Sequence, residues 1–281
     1  TANAPRAMDF SVLRCASVFL VLLALYALRP RSGLWTRRWL AGNVCDRAAA
    51  AALGLILAAF VAVIPFWEPS NSGLATKDYN TAFWDGESSV SFVSQQYGAL
   101  AHSLLQGRLD LEADPPEALL AMENPYDVAA RSEAQIEGAL WDHAFYNGRF
   151  YVYFGVVPCL LFQLPFEALT GIQNLAYAPC MVILGLVLLV SCFGIVGQAV
   201  RRWFPQTSAA AYLLAVAAVV SGSQLYYLLL RPYIYEYAIL CGSALLLLGL
   251  WLWLSAAATP MEKRGTILVK LVFGSLCVAL V

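Results

Sequence analysis

The apolar positions of this chain fall into seven long runs, separated by short polar connections and one long polar segment. The second run has about 20 residues, the length that crosses roughly 30 Å of hydrocarbon at about 1.5 Å per helical residue. The pattern predicts an all-α polytopic membrane protein with about six to seven apolar segments. The runs cover residues 12–28, 48–67, 151–169, 178–200, 209–230, 234–255 and 267–281.

Two of these runs are unusual. The run 151–169 contains Pro158, Pro165, Gln163 and Glu167, which favour a re-entrant or interfacial segment over a full crossing. A full crossing would place Arg231 on the opposite side of the membrane, and the pattern alone leaves both topologies open. The last run, 267–281, ends inside an apolar stretch, so the chain is expected to be an N-terminal fragment cut within a helix.

Composition agrees with a membrane protein. Apolar residues make up 60% of the chain and charged residues 12%, whereas soluble domains average roughly 45–50% and 25%. A soluble enzyme and a disordered chain are therefore excluded. The net charge of −1 provides no basic surface for nucleic acid.

Charge asymmetry predicts the orientation. The loop 29–47 carries five arginines against Asp46 alone, and such loops stay cytoplasmic. The segment 68–150 carries 13 acids and 4 bases, so we expect it to be extracytoplasmic. The chain then divides into two N-terminal spans with an Arg-rich loop (1–67), an outer loop domain (68–150) and further membrane segments (151–281).

The outer loop domain has clear local signals. Apolar residues spaced by three and four over 92–106 predict an amphipathic helix that ends at Gly107. A second helix is expected after Asp114, and Asp127 is placed to cap a third over 128–140. Asn147-Gly148, flanked by aromatic residues, predicts a β-hairpin with a two-residue turn.

Several motifs in and after this domain resemble those of a family of bacterial polytopic membrane proteins. That family in turn looks like the GT-C glycosyltransferases, which include protein O-mannosyltransferases and aminoarabinose transferases. The matching residues are Gly107, Asn124-Pro125-Tyr126-Asp127, Arg131, Trp141-Asp142-His143, the run from Tyr146 to Pro158, Arg231-Pro232, Tyr235 and Gly274-Ser275-Leu276-Cys277.

The resemblance implies a function. The protein would move a sugar from a polyprenyl-phosphate donor, reached from the bilayer, to an extracytoplasmic acceptor. An acid in the outer loop would act as general base or bind a divalent metal, and the identity of any cofactor is left open. The position where such enzymes carry this acid holds Ser88 to Ser91 here, and the nearest acids are Asp78, Asp85 and Glu87.

Three acids are the candidate catalytic residues. Asp85 and Glu87 are two residues apart and follow Trp84, so they are either a base or metal ligand or two solvated loop acids. Asp142, next to His143, is either half of an acid–base pair or part of the hairpin scaffold.

The candidate substrate-binding residues are His143, Tyr146, Tyr151 and Arg231. Tyrosine offers an apolar ring face and a polar tip, which suits both sugar stacking and the membrane–water interface. Arg231 either holds the donor phosphate or pairs with Glu236, five residues further on.

A non-enzymatic membrane protein is the alternative function, either a transporter or an assembly partner for envelope polysaccharide. A transporter should place polar residues deep in several spans, whereas this chain concentrates them in the outer loop. The expected partners are membrane lipid and the lipid-linked donor. The seven cysteines and two histidines form no metal-binding spacing.

Overall fold

The computed structural model describes residues 12–27, 29–66, 96–113, 115–134, 143–173 and 175–281. The first part contains helix α1 (Val12–Ala27) and helix α2 (Val44–Val63), which continues into a 3₁₀ turn at Ile64–Phe66. Asn43 begins α2, because its side-chain oxygen accepts the backbone N–H groups of Cys45 and Asp46.

The outer loop domain (68–150) is called the outer segment from here on. Its described part contains three short helices and leads into a hairpin. Helix α3 (Gln96–Leu105) is followed by a turn with Gly107, whose φ is +75°, so the predicted helix end is confirmed, while residues 92–95 of the predicted helix lie outside the described part. Helix α4 (Glu117–Leu120) follows, and Asp127 caps helix α5 (Val128–Glu133) by accepting the N–H groups of Ala129 and Ala130. The predicted cap is confirmed, and residues 135–142 lie outside the described part.

Strands β1 (His143–Tyr146) and β2 (Arg149–Val152) pair antiparallel and form the predicted hairpin. Asn147 and Gly148 occupy its turn with φ values of 49° and 71°. Both values are positive, which is the backbone geometry that favours Asn-Gly at this position. The hairpin prediction is confirmed.

The C-terminal half is helical. A π turn at Cys159–Gln163 leads into helix α6 (Leu164–Thr170), and helix α7 (Tyr177–Trp203) follows. Helices α8 (Ala209–Gly222) and α9 (Leu225–Leu230) are separated at Gln224, a non-glycine residue with a φ of +57°. Helices α10 (Ile234–Ala257) and α11 (Arg264–Ala279) complete the described chain.

Three helical segments in the described residues are long and apolar enough to cross a membrane: Val44–Phe66, Tyr177–Trp203 and Ile234–Ala257. The other apolar helices are shorter, since α1 has 16 residues and α8 has 14. A mostly helical chain with three helices of membrane-spanning length and composition is therefore confirmed. The larger count of six to seven segments stays a prediction.

One end of the bundle is basic. The loop 29–43 lies against the connection between α7 and α8, because Trp39 N–H donates to Thr207 O over 2.9 Å and Ala209 N–H donates to Arg37 O over 2.9 Å. This contact gathers the arginines of the loop with those at the end of α7. The arginines that this contact gathers are Arg29, Arg31, Arg37, Arg38, Arg47, Arg201 and Arg202.

The opposite end carries the outer segment and is called the acidic end. Tyr97, in α3, donates its N–H to the hydroxyl of Tyr177 over 3.3 Å. The hydroxyl of Tyr237, in α10, donates to Pro158 O over 3.3 Å. Since α7 and α10 both begin here, the three tyrosines pack together, and the Tyr177 and Tyr237 rings are stacked 4.8 Å apart.

The stretch 143–176 therefore starts and finishes at the acidic end. Its helical part, 157–170, is about 20 Å long at 1.5 Å per residue, and α7 then runs back towards the basic end. Pro158 and Pro165 lack backbone N–H groups, which fits the π turn between them. Of the two topologies that the sequence left open, the structure has the returning one, and Arg231 lies at the acidic end.

Candidate functional site

The sequence-based site residues are only partly described. Asp85, Glu87 and Asp142, the candidate catalytic acids, lie outside the described residues. His143, Tyr146, Tyr151 and Arg231, the candidate substrate-binding residues, lie within them.

The hairpin separates three of these residues onto two faces. His143 and Phe145 oppose Val152 and Phe150, and the side chain of His143 is only 4% exposed on this inner face. Tyr146 is 67% exposed on the other face, where the strand alternation also places Tyr151. Tyr146 and Tyr151 thus share an accessible face, whereas His143 packs edge-on to Phe150.

Two contacts hold the hairpin against the rest of the outer segment. Leu111 N–H donates to Phe150 O over 2.8 Å. The hydroxyl of Tyr126 donates to Phe145 O over 3.0 Å and accepts the N–H of the same residue over 2.7 Å. These hydrogen bonds to the hairpin backbone fix the position of the accessible face.

Arg231 lies between α9 and α10 with its side chain 57% exposed. Its Nε is 3.5 Å from Glu236 Oε1, so the ion pair anticipated from the sequence is present. A hydrogen bond with the Tyr227 hydroxyl, followed by the charge of Glu236, raises the pKa of Arg231 above its usual value. With more than half of its side chain exposed, Arg231 is accessible to a ligand, and its five donors exceed what Glu236 and Tyr227 can engage.

The structure reveals a chain of ion pairs that the sequence analysis missed. Asp110 is 95% buried, and its carboxylate contacts Arg108 at 2.6 Å and Arg149, in β2, at 3.3 Å. The hydrogen bond from Arg108 is the main reason that the pKa of Asp110 is lowered. Arg108 Nη1 is also 3.9 Å from Glu112 Oε1.

The chain of ion pairs leads to His102, at the end of α3. Glu112 Oε2 is 3.7 Å from His102 Nε2, and Glu167 Oε1, in α6, is 2.7 Å from His102 Nδ1. The amide Nε2 atoms of Gln106 and Gln173 each lie 2.8 Å from a ring nitrogen of His102. One imidazole thus joins three parts of the acidic end.

Glu167 belongs to a row of buried polar residues on the returning helix. Cys159, Gln163 and Glu167 are spaced by four residues, and each is less than 10% exposed. Gln163 Oε1 accepts the Tyr237 hydroxyl at 3.2 Å. The buried polar atoms without a hydrogen-bond partner in the described residues include Tyr97 Oη, Ser103 Oγ, Gln163 Nε2 and Glu167 Oε2.

The sequence itself contained a signal for this row of buried polar residues. Gln163 and Glu167 stand four apart inside an apolar run, and an ionisable residue in such a run is by default a candidate functional residue. The sequence analysis used them only as grounds against a full crossing. Their partner could not be found from sequence, because His102 is 65 residues away from Glu167.

An apolar groove of about 400 Å³ lies beside α10. Its lining residues include Gly155, Pro158, Gly242, Leu246 and Val281. Apart from Cys241 and Ser243, its lining side chains are apolar, so it provides no charged group.

A metal site finds no support in the described part of the chain, where no group of three or more His, Cys, Asp or Glu side chains could hold an ion. His102 lies on α3, and His143 lies on the inner face of the hairpin. All seven cysteines are free thiols.

Comparisons with known proteins identify no relative. No family model, no curated protein and no solved structure matches this chain.

Proposed function

We propose that this protein is a multi-pass membrane glycosyltransferase that moves a sugar from a polyprenyl-phosphate donor to an acceptor on the extracytoplasmic side. The proposal starts from the resemblance to GT-C glycosyltransferases in the outer loop domain and at Arg231-Pro232. A non-enzymatic assembly partner remains the alternative, and the experiment below separates the two.

The orientation follows from the charge distribution between the two ends. The basic end has seven arginines, of which Arg37 pairs with Asp46, and α10 returns the chain to this end before Lys263 and Arg264. Positively charged connections stay in the cytoplasm, so the acidic end is assigned to the extracytoplasmic face. The candidate site then faces the compartment in which envelope acceptors are found.

The observation that carries the proposal is the returning helix 157–170. It brings a buried carboxylate and a buried amide to the acidic end, where the hairpin and Arg231 also lie. Non-helical or broken segments at membrane depth are tolerated where they line a site within the protein. A transfer reaction at the membrane surface needs this combination of a cation, an acid–base group and an accessible polar face.

Each group has a role in the proposed reaction. Arg231 binds the donor phosphate, since a guanidinium matches phosphate oxygens and forms paired hydrogen bonds. The exposed face with Tyr146 and Tyr151 stacks against the sugar or the acceptor. Asp85, Glu87 and Asp142 remain the candidate catalytic acids that the resemblance implies.

The test uses the purified full chain in nanodiscs with radiolabelled undecaprenyl-phosphate-linked hexoses and pentoses, and a cell-envelope extract as acceptor. We expect one donor to be consumed with release of undecaprenyl phosphate. Arg231→Ala should reduce this consumption at least 100-fold, whereas Arg202→Ala, an exposed arginine at the basic end, should retain it. A wild-type protein that binds these donors but consumes none of them would contradict the enzyme and favour the assembly partner.

A further inference from the structure

We propose that His102 is the general base of this reaction and that Glu167 positions it. The inference rests on the proposed function and deepens it, because neither residue was among the candidate catalytic acids. It is carried by the geometry of the His102–Glu167 pair and by the burial of the carboxylate.

The pair has the arrangement that prepares an imidazole to accept a proton. Glu167 Oε1 lies 2.7 Å from His102 Nδ1, and Glu167 is 7% exposed. Because a carboxylate only accepts, it favours the tautomer with the proton on Nδ1 and the lone pair on Nε2, and the Gln173 amide nitrogen, 2.8 Å from the same Nδ1, then makes no hydrogen bond to it. A buried acid that orients a histidine in this way is a general feature of acid–base sites.

His102 remains reachable, since its side chain is 29% exposed. His143, the other histidine of the chain, is 4% exposed. Nε2 of His102 lies 2.8 Å from the amide of Gln106, an exposed side chain in the turn after α3. In the proposed step an acceptor hydroxyl replaces this amide at Nε2.

The groups around His102 also suit the protonated ring. Glu167 faces it from α6 and Glu112 from the segment after α3, with Glu112 Oε2 3.7 Å from Nε2. Arg108, a cation of the same chain of ion pairs, contacts Asp110 and Glu112. Two carboxylates therefore stabilise the imidazolium that forms when the proton is taken up.

A hydrogen bond whose only role was to hold α3 against α6 would not need a carboxylate. Burying one costs free energy unless both oxygens are paired, and Glu167 Oε2 has no hydrogen-bond partner within the described residues. Glutamine would make the same contact with His102 at lower cost. The negative charge is thus explained by its effect on the imidazole.

The step balances as a single displacement. The acceptor hydroxyl gives its proton to His102 Nε2, and its oxygen forms a bond to the anomeric carbon of the sugar. The bond between that carbon and the donor phosphate oxygen breaks, and its electron pair leaves with polyprenyl phosphate. The imidazolium then returns the proton to solvent, which restores the enzyme.

The test compares three variants in the nanodisc assay. His102→Gln should lower kcat/KM about 100-fold or more, the lower range for loss of a general base, with KM for the donor unchanged. Glu167→Gln should reduce kcat and leave KM for the donor unchanged, because the imidazole loses the carboxylate that orients it while the donor keeps its binding contacts. Glu262→Gln, the same change at an exposed position of the basic end, should leave both kcat and KM unchanged.

A second measurement uses the folded wild-type protein and does not depend on a variant folding. Diethyl pyrocarbonate should inactivate transfer, hydroxylamine should restore it, and peptide mass spectrometry should find the modification at His102. Wild-type transfer that His102→Gln retains would overturn the base and leave the proposed function intact. A wild type that transfers no sugar from any donor would overturn both.

Discussion

Trp39 stacks on Tyr212 with ring centroids 3.8 Å apart and an angle of 13° between the rings. The two residues come from different parts of the chain, the loop between α1 and α2 and the first turn of α8. Both are less than 10% exposed. The stack, together with the backbone hydrogen bonds beside it, holds two arginine-rich connections at one end of the bundle.

Trp39→Ala should destabilise the protein by roughly 3 kcal/mol, the range for loss of a buried aromatic side chain. Trp35→Ala is the matched control, since Trp35 is in the same loop but is 43% exposed, and its effect should be much smaller. Thermal unfolding of the detergent-solubilised protein measures both. Equal destabilisation by the two changes would show that the stack is not what holds the loop.

The orientation can be tested by cysteine labelling in a variant without the seven native cysteines. Ile172, at the acidic end, and Leu40, at the basic end, are 50% and 49% exposed. An impermeant maleimide should label Ile172→Cys in intact cells, and should label Leu40→Cys only after the membrane is opened. The reverse pattern would overturn the assignment of the acidic end to the outside.

The contact between α7 and α10 depends on Gly194. A Cβ atom at this position would lie 2.2 Å from Trp251 Nε1, so Gly194→Ala forces the indole to move. We expect a loss of stability of about 1–3 kcal/mol, as for other overpacked sites. Gly197→Ala, one turn further along the same helix, meets its nearest atom at 3.7 Å and should be neutral or slightly stabilising.

The outer segment should depend on pH through Asp110. Arg108 stabilises the carboxylate of Asp110 in the folded state and so lowers its pKa. The charged carboxylate therefore stabilises the fold at pH values above the ordinary aspartate pKa of about 3.9. This contribution is lost as the pH falls through the lowered pKa. Wild type should therefore have a higher Tm than Asp110→Asn at pH 7, by a few degrees, and the difference should shrink at pH 3.

Glu123→Gln, a change at an exposed acid of the same segment, serves as the control and should leave Tm unchanged at both pH values. A Tm difference between wild type and Asp110→Asn that stays constant from pH 7 to pH 3 would contradict the role of the charge.

Local features of the outer segment could be predicted because they depend on a few neighbouring residues. Asn147-Gly148 determines its own turn, since positive φ at both positions costs these residues little. Asp127 caps α5 with an oxygen that reaches N–H groups two and three residues away. The apolar runs likewise predicted α2, α7 and α10, because the length and apolar composition of a helix depend only on its own residues.

The tertiary structure alone decided which distant residues meet. The sequence left open whether 151–169 crosses to the other end or returns. The contacts of Tyr177 and Tyr237 at the acidic end and of Trp39 at the basic end show that it returns. His102 and Glu167 form a pair only because the returning helix packs against α3. Such pairings depend on how separate helices pack, and the sequence pattern of one helix does not identify the helix that packs against it.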